Sequence, residues 1–137
     1  TDAVLHLSTE EINANLPPGS RLTRLAEHFL EQRSYYPMYP PPANFGMNVD
    51  VMKREAYSIP VQLDLLILPS KLASFAKDVK GGTVVINPGH LVRGTVGGTY
   101  AIVDLHPAKT DGAGGNMEQQ EGTEGVKDRV RVEIRRI

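Results

Sequence analysis

The sequence predicts an α/β fold, on three observations. Apolar residues recur at helical spacing from Ser20 to about Ser34, a largely apolar stretch "LDLLIL" ends at Pro69, and "RVRVEIRR" alternates with period two near the C-terminus. The 137 residues have room for one domain and one main core. With 40% hydrophobic and 23% charged residues the composition is that of a globular chain, not a disordered one. Fifteen Lys and Arg against sixteen Asp and Glu leave a net charge of −1, so the chain as a whole lacks the positive field that draws duplex DNA or anionic membranes. The absence of cysteine removes disulfides, thiolate zinc sites and a cysteine nucleophile together. The run from Leu65 to Leu68 is far too short to span a bilayer.

The opening "TDAVLHL" reads as a strand, and with no Met before it the chain looks entered midway. Ser8 followed three residues later by Glu11 has the form of a capping box, which predicts a short helical turn stopped by Pro17, Pro18 and Gly19. Leu22, Leu25, Ala26, Phe29 and Leu30 share one helical stripe, while Arg21, Arg24, Glu27, Glu31 and Arg33 form a solvated face opposite it. "SYYPMYPPPANFGMN" forbids helix and favours an extended surface segment, its aromatic rings either laid back on the domain or offered to a partner. Positions 61–70 read as a strand covered on both faces, followed by a helix with Leu72, Phe75, Ala76 and Val79 on one side and closed by Gly81 and Gly82. "TVVI" begins the next strand, so 61–86 is expected to be a strand–helix–strand unit. Tyr100 to Leu105 is a further strand. In the last strand Val130, Val132 and Ile134 face a core and Arg129, Arg131 and Glu133 face water. The Gly-, Gln- and Glu-rich stretch at about 107–128 is expected to be a mobile hairpin connection.

No enzyme site is visible in the residues themselves. The glycines at 94, 97 and 98 match neither a phosphate loop nor a dinucleotide fingerprint, and they lead into a strand, so they are expected to turn the backbone. Of His6, His28, His90 and His106, only His90 sits in a glycine-bounded loop after a strand, a place suited to a metal ligand, but no carboxylate companions accompany it. His6 reads as a structural histidine. Asp50, Asp64, Asp78 and Asp104 are scattered through different elements, so no acid/base pair is formed, and no serine lies in a nucleophile elbow.

The series "QRSYYPMYPPP", "VQLDLLILPSKLASFAKDV" and "VVINPGHLVRGTVGGTYAIVDL", closed by a basic alternating strand, resembles the accessory B subunits of eukaryotic DNA polymerases, in the branch that serves polymerase alpha. Tyr35-Tyr36-Pro37 with Tyr39-Pro40-Pro41, Leu68-Pro69-Ser70, Asn87-Pro88-Gly89 and Val96-Gly97-Gly98-Thr99 carry the likeness. The resemblance implies that residues 1–137 are the C-terminal portion of a calcineurin-like metallophosphoesterase β-sandwich flanked by helices and catalytically inactive. An OB-fold and the first half of the sandwich are expected upstream. The implied role is a scaffold without cofactor or metal. It would grip the zinc-containing C-terminal module of the catalytic subunit, act with the primase subunits in the nucleus, and reach DNA only indirectly. On this reading Asn87, Pro88, Gly89, Gly94, Gly97 and Gly98 form a structural turn, and the cluster Tyr35, Tyr36, Met38 and Tyr39 is the candidate partner surface. The alternative is a metal-dependent phosphodiesterase fragment with His90 as a late ligand. Against it, "PGHLV" lacks the second histidine of the active family's late motif.

Overall fold

In a computed structural model the described residues are 2–12, 20–43, 49–108 and 125–137. The fold is mixed α/β. Helix α1 (Ala3–Glu10) packs on helix α2 (Arg21–Glu31), and α2 lies on a three-stranded sheet of β1 (Leu65–Ile67), β2 (Phe75–Val79) and β3 (Thr83–Asn87) in the order β1-β3-β2. A small hairpin of β4 (Val92–Arg93) and β5 (Val96–Gly97) follows, then a long antiparallel pair, β6 (Thr99–Leu105) and β7 (Val130–Arg136), with the one-turn helix α3 (Val126–Arg129) leading into β7. A 3₁₀ segment, Val51–Tyr57, precedes β1.

The expected stripe forms α2: Leu25, Ala26 and Phe29 are buried, with Leu22 and Leu30 packed at their edges. Burying Leu25 and Phe29 contributes about 2–3 kcal/mol each. The helix ends in a Schellman turn, in which the Ser34 N–H donates to the Phe29 carbonyl at 3.1 Å and the Arg33 N–H to the Leu30 carbonyl at 3.3 Å. Arg33 takes the left-handed conformation (φ 48°) that glycine usually fills. Arg21 and Arg24 are not simply solvated, because both turn to Glu11.

The N-terminal segment is a helix and not a strand. Val4 and Leu7 are buried against α2 at helical spacing, and the Asp2 carboxylate caps the first turn by accepting from the Leu5 N–H at 2.9 Å. Ser8 and Glu11 make no capping box. Ser8 lies inside α1, its hydroxyl donating to the Leu5 carbonyl at 2.7 Å, and the Glu11 N–H closes the helix on the Leu7 carbonyl. The expected stop at Pro17, Pro18 and Gly19 falls outside the described residues.

The expected helix after Pro69 is also replaced. Phe75–Val79 is β2, antiparallel to β3 with Phe75 opposite Asn87 and Val79 opposite Thr83. The reason is local competition for hydrogen bonds: the Asn87 amide donates to the Leu72 and Ala73 carbonyls, which a helix would need for its own ladder. Gly81 and Gly82, both at positive φ, then turn the β2–β3 hairpin instead of closing a helix. β1 and β3 do run parallel, Leu66 beside Val85, but the chain between them passes through a strand. The strand buried along its whole length is β3, not β1. In β1 Leu66 points inward and Ile67 is half exposed, so only one face is covered.

The β6–β7 pair has the expected alternation, with Ala101 opposite Ile134, Val103 opposite Val132 and Leu105 opposite Val130. That apolar face is only partly buried, and Leu105 is exposed, so it is not part of the core. The hairpin connection lies outside the described residues, apart from its ends. No helix among the described residues is long and apolar enough to cross a membrane.

Candidate functional site

The parallel strands β1 and β3 send their carboxyl ends into two loops, 68–74 and 88–91, that meet at Asn87. Its side chain is fully buried and makes four hydrogen bonds. Oδ1 accepts from the Ser70 and Gly89 N–H groups, each at 2.9 Å, and Nδ2 donates to the carbonyls of Ala73 at 3.1 Å and Leu72 at 3.3 Å. One short side chain thus takes the place of a stretch of backbone ladder. A second joint, made by a carboxylate, lies beside it: Asp2, already the cap of α1, also accepts from the Lys71 N–H at 2.7 Å and the Ser70 hydroxyl at 3.1 Å. Burial alone would raise the Asp2 carboxyl. The hydrogen bonds from Lys71, Leu5 and Ser70, with His90 nearby, outweigh it and hold the group below the usual carboxylate value.

The candidate turn residues occupy successive places in this loop. Asn87 ends β3, Pro88 and Gly89 leave it, Gly94 turns the β4–β5 hairpin, Gly97 lies in β5, and Gly98 joins β5 to β6. The closest contacts are at two of the glycines. A Cβ on Gly89, which has φ 78°, would overlap the Thr99 hydroxyl, itself bonded to the Pro88 carbonyl. A Cβ on Gly98 would run into the His90 carbonyl, because Gly98 and Thr99 donate to Leu91 and His90 at 2.8 and 2.9 Å and pull the two segments together.

The tyrosine–proline segment is divided between core and surface. Tyr36 turns inward and meets the buried His6 ring edge-on at 6.5 Å, Pro37 is buried, and Met38 packs against the core. Burial first, and the Glu10 carboxylate second, hold the Tyr36 phenol above its ordinary value. Tyr35 and Tyr39 remain in solvent, Tyr39 with 80% of its surface exposed. The segment is tied down by the Tyr35 N–H donating to the Tyr57 carbonyl and the Ile59 N–H to the Arg33 carbonyl, both at 2.8 Å. Of the four candidate residues, then, two face the molecule and two face outward.

No three His, Asp or Glu side chains among the described residues are grouped to hold a metal. His90 stands instead in a hollow lined by Lys71, Val92, Arg93 and Gly94, surroundings that do not supply a cation's ligands. His28 faces Glu11, whose carboxylate is 7% exposed and also receives Arg24 at 3.3 Å and Arg21 at 3.5 Å. Asp2 is not marked by the sequence pattern beyond the Asp2–Leu5 spacing of a helix cap, and Glu11, expected in a capping box with Ser8, instead receives cations from α2. Nothing local marks that role of Glu11, because its partners come from another helix.

Among the described residues the arrangement is one of structural joints and surfaces. Residues 1–77 match the family described as the DNA polymerase alpha/epsilon B subunit, and the chain belongs to that family. Within it, the similarity is to proteins named as the B subunit of DNA polymerase alpha. The mouse protein is 41% identical over 117 residues, covering 83% of this chain and 19% of its own length. That of Drosophila melanogaster is 38% identical over 118 residues, 85% of this chain and 18% of its own. That of Schizosaccharomyces pombe is 31% identical over 143 residues, 99% of this chain and 24% of its own. The chain therefore spans about a fifth to a quarter of the length of these relatives.

Proposed function

We propose that the chain is the C-terminal portion of a non-catalytic accessory subunit of DNA polymerase alpha–primase. In this reading it is part of an inactivated calcineurin-like phosphoesterase domain. It holds the zinc-containing C-terminal module of the catalytic subunit, works with the primase subunits through that contact, and acts in the nucleus during initiation of DNA replication. The observation that carries the proposal is the 41% identity to the mouse B subunit of DNA polymerase alpha across 83% of this chain. The local chemistry supports it. The loops at the strand ends are closed by Asn87 and Asp2, residues engaged in hydrogen bonds to backbone, and Tyr35 and Tyr39 are the tyrosines of the segment left exposed to anchor a partner.

The test is co-elution of the full-length protein with the cysteine-rich C-terminal module of the catalytic subunit, with phosphodiester hydrolysis in manganese assayed on the same fractions. A stable complex without hydrolysis, weakened by Tyr35→Ala with Tyr39→Ala, is the expected result. Hydrolysis abolished by His90→Ala, without a complex, would overturn it in favour of a metal-dependent phosphodiesterase.

A further inference from the structure

Three cationic side chains that have no partner among the described residues line hollows at the carboxyl ends of β1 and β3. Two adjoining hollows open there. One, of about 340 Å³, is lined by Ala73, Ser74, Arg93, Gly97, Thr99 and Arg136 among others; the second, of about 330 Å³, is lined by Lys71, His90, Val92, Arg93 and Gly94. Arg93 belongs to both, and among the described residues no acidic one lines either. Among the described residues no hydrogen bond or ion pair engages the Lys71 ammonium or the guanidinium groups of Arg93 and Arg136. Five of the other seven arginines are occupied: Arg21 and Arg24 by Glu11, Arg33 by the Pro60 carbonyl, Arg129 by the His106 carbonyl and Arg135 by Glu133. The carboxylate beside Lys71, Asp2, keeps its negative charge, but its hydrogen bonds go to the Lys71 and Leu5 amides and the Ser70 hydroxyl and to none of the three cationic groups.

Like-charged groups without ion-pair partners around a concave surface repel one another, and an anion relieves that repulsion. The location has the same sense: in sheets with parallel strands, ligands sit outside the carboxyl ends. We infer that this double hollow binds the phosphate backbone of a single nucleic-acid strand, with Arg93 between two successive phosphates and Lys71 and Arg136 at either side. Two joined hollows suit a chain of phosphates better than a lone one. The net charge of −1 confines the attraction to this patch, which a flexible single strand can follow and a stiff duplex cannot. This goes beyond the scaffold reading and revises the expectation that DNA is reached only through the complex.

The test is fluorescence anisotropy of the full-length protein with a labelled oligothymidylate of about 15 nucleotides, a length that covers a single-strand site. Each phosphate contact contributes about 0.7 to the slope of log affinity against log salt, so removing two arginines should flatten that slope by about 1.4. From about 50 to about 200 mM salt the wild type should then lose about sevenfold more affinity than Arg93→Ala/Arg136→Ala. Lys127→Ala, outside the hollows, should leave the slope unchanged. Both arginines are exposed and unpaired among the described residues, so the double variant should melt like the wild type and still co-elute with the catalytic-subunit module, which separates this test from that of the scaffold. An unchanged slope and affinity in the double variant would overturn the inference. So would a doubly phosphorylated peptide whose binding is lost in the variant while oligothymidylate binding persists, since the ligand would then be a protein.

Discussion

Replacing Asn87 with alanine should loosen the whole junction between the strand ends. The substitution leaves the Ser70 and Gly89 N–H groups buried without acceptors and frees the Leu72 and Ala73 carbonyls. A buried donor without a partner costs about 1–3 kcal/mol, so the two N–H groups alone cost about 4 kcal/mol, before any gain from water entering. Hydrogen exchange in the full-length protein reads this directly, over peptides covering residues 68–91. At about 1.4 kcal/mol per tenfold change, protection there should fall by roughly three orders of magnitude, while α2 is less affected. Asn87→Asp separates the two halves of the network. It keeps an acceptor for both N–H groups but turns a second oxygen toward two carbonyls, so burial and those carbonyls should raise its pKa. An acid whose folded-state pKa is raised destabilises as it ionises, so protection in this variant should recover as pH is lowered from neutral. Protection in Asn87→Ala within about threefold of the wild type, well under 1 kcal/mol, would refute the assignment of Asn87 as the junction.

Gly98→Val should cost about 3 kcal/mol, because its Cβ meets the His90 carbonyl and the paired Gly98 and Thr99 amides must move to relieve it. The melting temperature should fall by about 10 °C, and an unchanged melt would show that the close approach is not required. Asp2→Asn should flatten the acid limb of the stability curve. The Asp2 carboxyl is lowered from its ordinary 3.8, so the stability it contributes is present above that value and is lost as pH falls through the lower folded value. Urea midpoints between about pH 2.5 and 5 test this, and parallel curves for the two proteins would exclude it. Glu11→Gln should loosen α1 from α2 by about 1–2 kcal/mol. It leaves Arg24 facing an uncharged group in a poorly solvated place, while Arg21 stays exposed to solvent, and hydrogen exchange in α1 should rise accordingly. Exchange in α1 matching the wild type would mean that the cluster is a surface pair of no consequence.

Local pattern alone determined several parts of this protein. Leu22 to Leu30 form the amphipathic helix they spell, Tyr100–Leu105 and Val130–Arg136 alternate as strands and pair, and Gly81, Gly82 and Gly94 turn the chain where they stand. Each of these signals runs over enough residues, or depends so directly on backbone sterics, that no distant group can override it. The quoted motifs also carried the family, because Tyr-Pro, Asn-Pro-Gly and Val-Gly-Gly-Thr are read without knowing what they touch. Tertiary structure decided the rest. "AVLHLSTE" and "FAKDV" are short apolar segments compatible with either period, and their states depend on partners remote in sequence: α2 for the first, β3 and the Asn87 side chain for the second. Glu11 could not be recognised before Arg21, Arg24 and His28 were brought to it, and Tyr36 could not be told from Tyr35 until His6 lay beneath one and water over the other. Lys71, Arg93 and Arg136 are isolated cations in the sequence. They become one charged surface only because the parallel β1 and β3 end at the same edge and β7 returns beside them.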